Sequence, residues 1–472
     1  MAKENVYIVS NRQAEYPQPD EHFSPGEAYP EYPFKETASR PNDVYAMVRE
    51  GFAQMGLDGD NYGKACWNPL GELIKPGQRV LLKPNWVSHQ NPENSHDMSC
   101  LVTHPSVIRA VLDYVVIALQ GQGEITVGDA PVQLADFERL QELYRPVWDF
   151  FQTEKIPVRV VDFRGMVAKR RADGTFQTFQ DELSGKVICL NKDSAFAQMK
   201  DASRFRITNY ATDLLNQHHA GDKHEYLLHE EVLNADVILN LPKPKSHRKA
   251  GLTACAKNFI GANMRKEFLP HHTQGSPEDG GDEYRRAHWA KRAASHLLDR
   301  YNNAAYQGRK YCILYRYAHA VLRRIGQRLT RDPFWEGSWY GNDTIWKTIV
   351  DLNECIRLAD RNGVMTQTEQ RKVFHLCDMI VSGQNEGPMM PSPKHVGAIV
   401  MGNSGAAVDL VICRMVGFNP AAVRYIAPRL AKEGLREQDI TVCESGVQCP
   451  AATFAGSEDW RLEPTAGWKG HI

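Results

Sequence analysis

Residues 234–263 read NADVILNLPKPKSHRKAGLTACAKNFIGAN. Val237, Ile238 and Leu239 form a short apolar run that ends at Pro242 and Pro244, which predicts a buried strand cut off by the prolines. Past the strand end, Lys243, Lys245, His247, Arg248, Lys249 and Lys257 crowd one loop, with Thr253, Cys255 and Asn258 between them. Like charges packed this closely repel one another, so the density makes sense around something anionic, or around a metal with its anionic ligands. The blander reading is a solvated basic loop. Three neighbours weigh against it: the strand-end position, the small residues Gly251, Ala254, Ala256 and Gly261 that let backbone approach a ligand, and the imidazole among the lysines.

Outward from this block the chain alternates strands and helices. Arg79 to Lys83 reads as a strand, Thr103 and Pro105 open a helix that runs to about Leu119, and Glu124 to Val127 is the next strand. A strand, a helix and a strand in about 50 residues predict a right-handed crossover in a sheet that is at least partly parallel. Further strands are expected at Val6 to Val9, Val158 to Val161, Val187 to Leu190, Asp236 to Leu241 and Gly397 to Met401. Helices are expected from Asn42 to Met55, through Val350, Leu352 and Ile356, and from Gly405 to Val416, where Gly417 and Pro420 end the last one. The fold class is therefore α/β, a mixed or mostly parallel sheet flanked by helices, with a helical basic insertion. Residues 1–77 read as an arm and helix, 78–277 and 345–434 as the core, 278–344 as the insertion and 435–472 as an irregular C-terminal tail. Ligands in open α/β sheets collect at the carboxyl ends of strands. The loops expected there are KPNW (Lys83 to Trp86), GDAP (Gly128 to Pro131), PKPKSH (Pro242 to His247) and GNSGAAVD (Gly402 to Asp409).

Acids and bases nearly balance, at a formal charge of −1, so no global field draws the chain to nucleic acid and none is expected as a partner. The ten cysteines stand singly with no CxxC, which suits a reducing cytoplasm and supplies no pattern for an iron–sulfur cluster or structural zinc. The N-terminus has no basic segment followed by an apolar one, and no apolar run has the length of a membrane span; a cytoplasmic location is expected. From Tyr301 to Arg331 there are seven bases and no acid, interleaved with Tyr306, Tyr311, Tyr315 and Tyr317. One or two amphipathic helices there could make a peripheral contact with an anionic membrane or a polyanion, but the favoured reading is an apolar side packed on the body with arginines in water. No GxxxxGK[ST], GxGxxG after a strand, HExxH or GxSxG occurs, which weakens the ordinary ATPase, dinucleotide-oxidoreductase, zincin and hydrolase readings.

The segments VLLKPNWV (80–87), THPSVIRAVLDYV (103–115), ITVGDAP (125–131), ADVILNLPKPKSHRKAGLTACAKNFIG (235–261) and GNSGAAVDLVICRMVGF (402–418) resemble, in order, the blocks of the family catalogued as domain of unknown function 362. Some members of that family carry a ferredoxin-like iron–sulfur module; this chain lacks its cysteines, so that cofactor is not expected. A more distant likeness is to the catalytic domain of lactate racemase, in which a histidine precedes by ten residues a lysine joined to a nickel-pincer nucleotide. His247 and Lys257 stand at that interval, and His271 or His272 match a further histidine; the Gly-Gly pair before the lysine is Ala254-Cys255 here. This implies a shared fold rather than the nickel-pincer nucleotide.

Lys257 is the first candidate for chemistry, as a nucleophile or proton carrier whose pKa Lys243, Lys245 and Lys249 would depress by repulsion. His247 is a candidate general base or metal ligand; with His271 and His272, and Asp279, Asp282 or Glu283, it would make a divalent-metal site. Lys83, Asn85, Lys243, Lys245, Asn258, Asp129 and Asp409 are candidate substrate contacts. The bland alternatives are a strand-ending turn for the KPN segment, helix capping for Asp129 and dipole stabilisation for Asp409. Cys255 reads as a packing residue. The expected function is an enzyme acting on a small phosphate- or carboxylate-bearing substrate, with or without a divalent metal. Two other classes stay open: a binding or scaffold protein held to a membrane or polyanion by its basic helix, and a redox protein related to the iron–sulfur members.

Overall fold

The computed structural model describes residues 3–93, 97–180, 184–199, 201–208 and 210–472. The N-terminal strand β1 (Glu4–Ser10) is followed by helix α1 (Asp43–Gln54), whose entry is capped by the Asn42 side chain accepting from Tyr45 N. The crossover expected from the sequence is present as β2 (Arg79–Pro84), α2 (Pro105–Leu119) and β3 (Glu124–Asp129), with Pro105 opening the helix where a missing N–H costs nothing. Then come β4 (Val158–Asp162), a hairpin of β5 (Met166–Arg170) and β6 (Phe176–Gln180), and β7 (Gly185–Cys189), which pairs with β8 (Lys223–His229) in a small separate sheet. The apolar run of the opening segment is β9 (Val237–Leu241); β10 (Lys245–His247) and β11 (Gly251–Thr253) form a short ribbon after it, and α3 is the single turn Cys255–Asn258.

The insertion is a helical hairpin, α4 (Trp289–Tyr306) and α5 (Cys312–Thr330), and is followed by α6 (Ile345–Leu358). Two long strands, β12 (Lys372–Glu386) and β13 (Met390–Gly402), precede α7 (Gly405–Met415), and β14 (Ile440–Glu444) and β15 (Val447–Pro450) close the sheet. The order across the main sheet is β15-β14-β1-β13-β12-β9-β2-β3-β4. The run from β12 to β4 is parallel throughout, while β12 with β13 and β13 with β1 are antiparallel. Successive residues alternate between two cores: Leu81 and Ile238 face one, and Val80, Leu82, Val237 and Leu239 face the other.

Two expectations need correction. The segment after residue 434 is not irregular, because β14 pairs in parallel with β1, Glu4 opposite Ile440, and carries β15 along its outer edge. Of β13 only Gly397 to Met401 is legible in the sequence, and β12 not at all, because His375, Cys377 and Asp378 break its apolar run. All three are buried, and two of them are satisfied by partners far away in sequence: Asn240 for His375 and Lys243 for Asp378.

Candidate functional site

β2, β3 and β9 end side by side because they are parallel and in register, Leu82 standing opposite both Val127 and Leu239. Their loops KPNW, GDAP and PKPKSH meet around a cavity of about 380 Å³ that Asn85, Asp129, Lys245, His247 and Lys257 help to line. That volume lies within the roughly 300–1,000 Å³ of small-molecule sites. The fourth expected loop does not join them, since β13 runs antiparallel to β12 and delivers Gly402 opposite His375 rather than at the cavity. Asp409 does not line the cavity; it bonds the turn that carries Lys257.

α3 is too short to satisfy its own first amides. Asp409 on α7 accepts from Cys255 N at 2.6 Å and from Ala256 N at 2.9 Å, and Asn353 donates to the Ala256 carbonyl at 3.0 Å. The turn is thereby pinned from behind, and Lys257 lines the cavity. Among the described residues its amine makes no hydrogen bond and no ion pair. Burial, reinforced by Lys266, Lys249 and Lys83 against the attraction of Asp129, pulls the amine down to about 7. Burial therefore leads; of the expected repelling neighbours Lys249 is one and Lys245, itself pushed down by Lys257, is another, while Lys266 and Lys83 are additional to them.

The other lysines differ from Lys257 in being spent. Lys83 donates to Asp129 at 2.8 Å, to the Pro84 carbonyl at 2.9 Å and to the Asn258 carbonyl at 3.0 Å, which uses all three ammonium donors. Lys243 is likewise consumed by Asp378 at 2.7 Å, Tyr16 at 2.6 Å and the Val381 carbonyl at 2.9 Å, and lies beneath the sheet end outside the cavity. Lys245 donates to Asn85 at 2.8 Å and to the Leu101 carbonyl; with no carboxylate against it, burial drives its pKa well below that of an ordinary amine. Asn85 also donates to Asn258 at 2.9 Å, and Asn258 to Asn240 at 2.8 Å, so these amides position the loops rather than wait for a ligand. Asp129 accepts from Trp86 N, Ala130 N and Lys83. Lys83, Lys243 and Asp409 are thus structural, contrary to the substrate contacts expected of them. Gly261 passes so close that a Cβ there would stand 1.7 Å from Asp129 Oδ1.

The free polarity is cationic. Arg248 lines the cavity with a guanidinium that has no hydrogen-bond or ion-pair partner among the described residues. Lys249 donates to Thr208 at 3.0 Å and Lys266 to the Ala130 carbonyl at 3.0 Å; burial brings each amine down to about 8. Among the described residues no carboxylate lines the cavity other than Asp129, already committed to Lys83.

Of the three lining histidines, His89, His247 and His271, the last two present opposite faces. His247 Nδ1 accepts from Lys249 N at 3.1 Å and Ala250 N at 3.0 Å, so the neutral ring carries its proton on Nε2 and acts as a donor. His271 Nδ1 lies 2.7 Å from the Leu269 carbonyl, which requires the proton there and leaves Nε2 a lone pair. Burial first, then nearby lysines, holds both rings well below the usual imidazole pKa and therefore neutral. The expected metal set does not form: among the described residues no group of three or more His, Cys, Asp or Glu is placed to hold an ion. His272 is buried beside Lys249, outside the cavity lining. Asp282 and Glu283 accept backbone amides at Thr273 and Gly275, and Asp279 pairs with Arg292.

The cavity is also lined by the aromatic rings of Phe176, Tyr210 and Tyr306, with Phe176 and Tyr306 ring centroids 5.0 Å apart. Tyr306 ends α4, and the insertion is seated on β5 and β6 through Ala168, Phe176, Tyr301, Ala304 and Ala305, so this hairpin closes one side of the cavity. Sequence reasoning does not reach these aromatics, Thr208 or Lys266. Lys266 offered a signal, nine residues beyond Lys257 in the same basic stretch; the aromatics offered none, because they come from segments with no motif.

A thylakoid-associated protein of Synechocystis sp. is 26% identical over 195 residues, which is 41% of this chain and 41% of that protein, so the match spans well under half of either. A crystal structure of a Thermotoga maritima protein, 11% identical, superposes with a TM-score of 0.33 over 83% of this chain and 59% of that one. The model of one family matches residues 80–180 and 193–414, most of the chain. By that match this protein belongs to the family described as domain of unknown function (DUF362).

Proposed function

We propose that the cavity takes a small carbonyl compound bearing a carboxylate or phosphate, and that Lys257 reacts with it as a nucleophilic amine. The observation that carries this is the Lys257 amine itself, lining a cavity, without a partner among the described residues and brought to about 7 by burial and neighbouring cations. A lysine desolvated next to other cations is the amine that is both uncharged near neutrality and nucleophilic. Arg248, Lys249 and Lys266 supply charge for the anionic group, and the Phe176, Tyr210 and Tyr306 wall suits an apolar or planar remainder.

In this reading the His247 Nε2–H hydrogen-bonds the carbonyl oxygen and polarises it. The Lys257 nitrogen adds to the carbonyl carbon, a proton passes from nitrogen to oxygen, and both amine hydrogens leave with that oxygen as water, giving an imine. The His271 Nε2 lone pair then takes a proton from the neighbouring carbon, and the electrons of that bond pass to the imine nitrogen, which takes up a proton from solvent. Isomerase and lyase outcomes both follow from that step.

The test is reductive trapping. The protein is incubated with borohydride and either pyruvate or glyceraldehyde 3-phosphate, and intact mass and peptide mapping are read. The expected result is a single reduced adduct on Lys257 that Lys257→Met abolishes. Trapping spread over surface lysines, or none with either probe while inorganic phosphate still binds, leaves an anion-binding protein without amine chemistry.

A further inference from the structure

One face of the insertion is left in water although it is apolar. Along α5 and its lead-in, Tyr311, Leu314, Tyr317, Val321, Ile325 and Leu329 follow one another at three- or four-residue steps, which stacks them on one side of the helix. They are 52%, 67%, 67%, 55%, 38% and 65% exposed, respectively. Cys312, His319 and Gly326, seven apart, are the buried side of the same helix, and Gly326 packs against Lys291 of α4. The hairpin is thus already seated by its narrow side, and the stripe is additional. An isolated exposed leucine needs no explanation; six apolar side chains in one row do.

The charge around the stripe is of one sign. Residues 301–331 contain seven bases and no acid, and Arg324 and Arg328 are exposed one turn beyond Val321 and Ile325, on its border. At 1.5 Å per residue the row from Tyr311 to Leu329 is about 27 Å long, a ridge rather than a pocket. Trp289, 62% exposed, starts α4 at the end of the hairpin where Leu329 lies, and an exposed indole suits the boundary between water and acyl chains. A second copy of the chain would meet this face through a twofold contact that sets the same arginines against each other. Among the described residues no helix is long and apolar enough to cross a membrane, so a contact with lipid would be peripheral.

We propose that this face of α5 docks on the surface of an anionic bilayer, the stripe seated at the level of the headgroups and the flanking bases on the lipid charges. The site is separate from the cavity chemistry, and its test does not use it. The full chain is sedimented with sucrose-loaded vesicles of phosphatidylcholine, with or without one third phosphatidylserine. Leu314→Glu with Val321→Glu removes the stripe, and Arg324→Gln with Arg328→Gln thins the charge; all four positions are exposed, and a thermal melt checks that each variant is folded. The expected result is binding to the phosphatidylserine vesicles that falls about tenfold in the stripe variant, falls several-fold in the arginine variant and weakens with salt. Absence of binding to these vesicles overturns the proposal, as does binding that the stripe variant leaves unchanged. Conversion of a dimer to a monomer by the stripe variant, without a change in vesicle binding, would assign the face to a second copy instead.

Discussion

The carboxylate of Asp409 accepts the backbone N–H of Cys255 at 2.6 Å, and by that bond the helix α7 fixes where Lys257, two residues further on, stands in the cavity. Among the described residues the Lys257 amine has no bond of its own to hold it, so its position depends on the turn that bears it. Asp409→Ala leaves the Cys255 and Ala256 amides buried without acceptors, and an orphaned buried donor costs about 1–3 kcal/mol. Urea unfolding is expected to show a loss of that size, with slower borohydride trapping at Lys257. A variant of wild-type stability would show that the turn holds itself.

The Lys257 amine should leave a mark on the pH dependence of stability. Its folded pKa, about 7, lies below the ordinary lysine value near 10.4, so between those pH values the unfolded chain binds the extra proton. Stability contributed through this group therefore rises as pH increases from about 7 to 10, and below 7 the folded state bears the cost of a buried charge. Lys257→Met removes that cost. The variant is expected to be the more stable of the two at pH 6 and to lose its advantage towards pH 10, as read by thermal melts of both proteins across that range. Buried acids such as Asp409, raised to about 7, drift the other way, which is why the difference between the two proteins is the quantity to follow.

Lys243 and Lys257 share one basic stretch, yet their substitution should do opposite things. Lys243→Met strands Asp378, fully buried, without its cation, and breaking a buried pair from one side costs roughly 3–5 kcal/mol. Denaturant unfolding should show that loss, while phosphate binding by whatever protein remains folded should be unchanged because Lys243 lies outside the cavity.

Gly261→Ala places a Cβ 1.7 Å from Asp129 Oδ1 and 2.9 Å from Lys83 Nζ, both of which are locked in place. Overpacking of this kind costs typically about 1–3 kcal/mol, and more where the neighbours are held by charge. Gly59→Ala is the control, since a Cβ there meets nothing within 4 Å. Thermal melts should separate the two clearly, with Gly59→Ala near the wild type.

The strand ends could be read from the chain because their causes are local. Val237 to Leu239 are apolar side chains that seek burial, Pro242 and Pro244 lack the N–H a ladder needs, and the lysines begin where the strand must stop. The crossover from Arg79 to Asp129 follows in the same way from apolar spacing and a proline at the helix start. β12 was not legible, because its polar residues look like a break until their partners, Asn240 and Lys243, are brought beside them by folding.

For the site, sequence alone established that cations crowd one strand end, and no more than that about any one of them. Whether an amine is a structural ion or a reactive group depends on what stands within about 3 Å of it, and a Coulomb interaction changes with distance, not with separation along the chain. Asp378 pairs with Lys243, Asp129 with Lys83, and among the described residues no acceptor meets Lys257, while Tyr306 reaches the cavity from a helix pair that no motif connects to it. Those placements come from packing distant segments together, and only the tertiary structure could decide them.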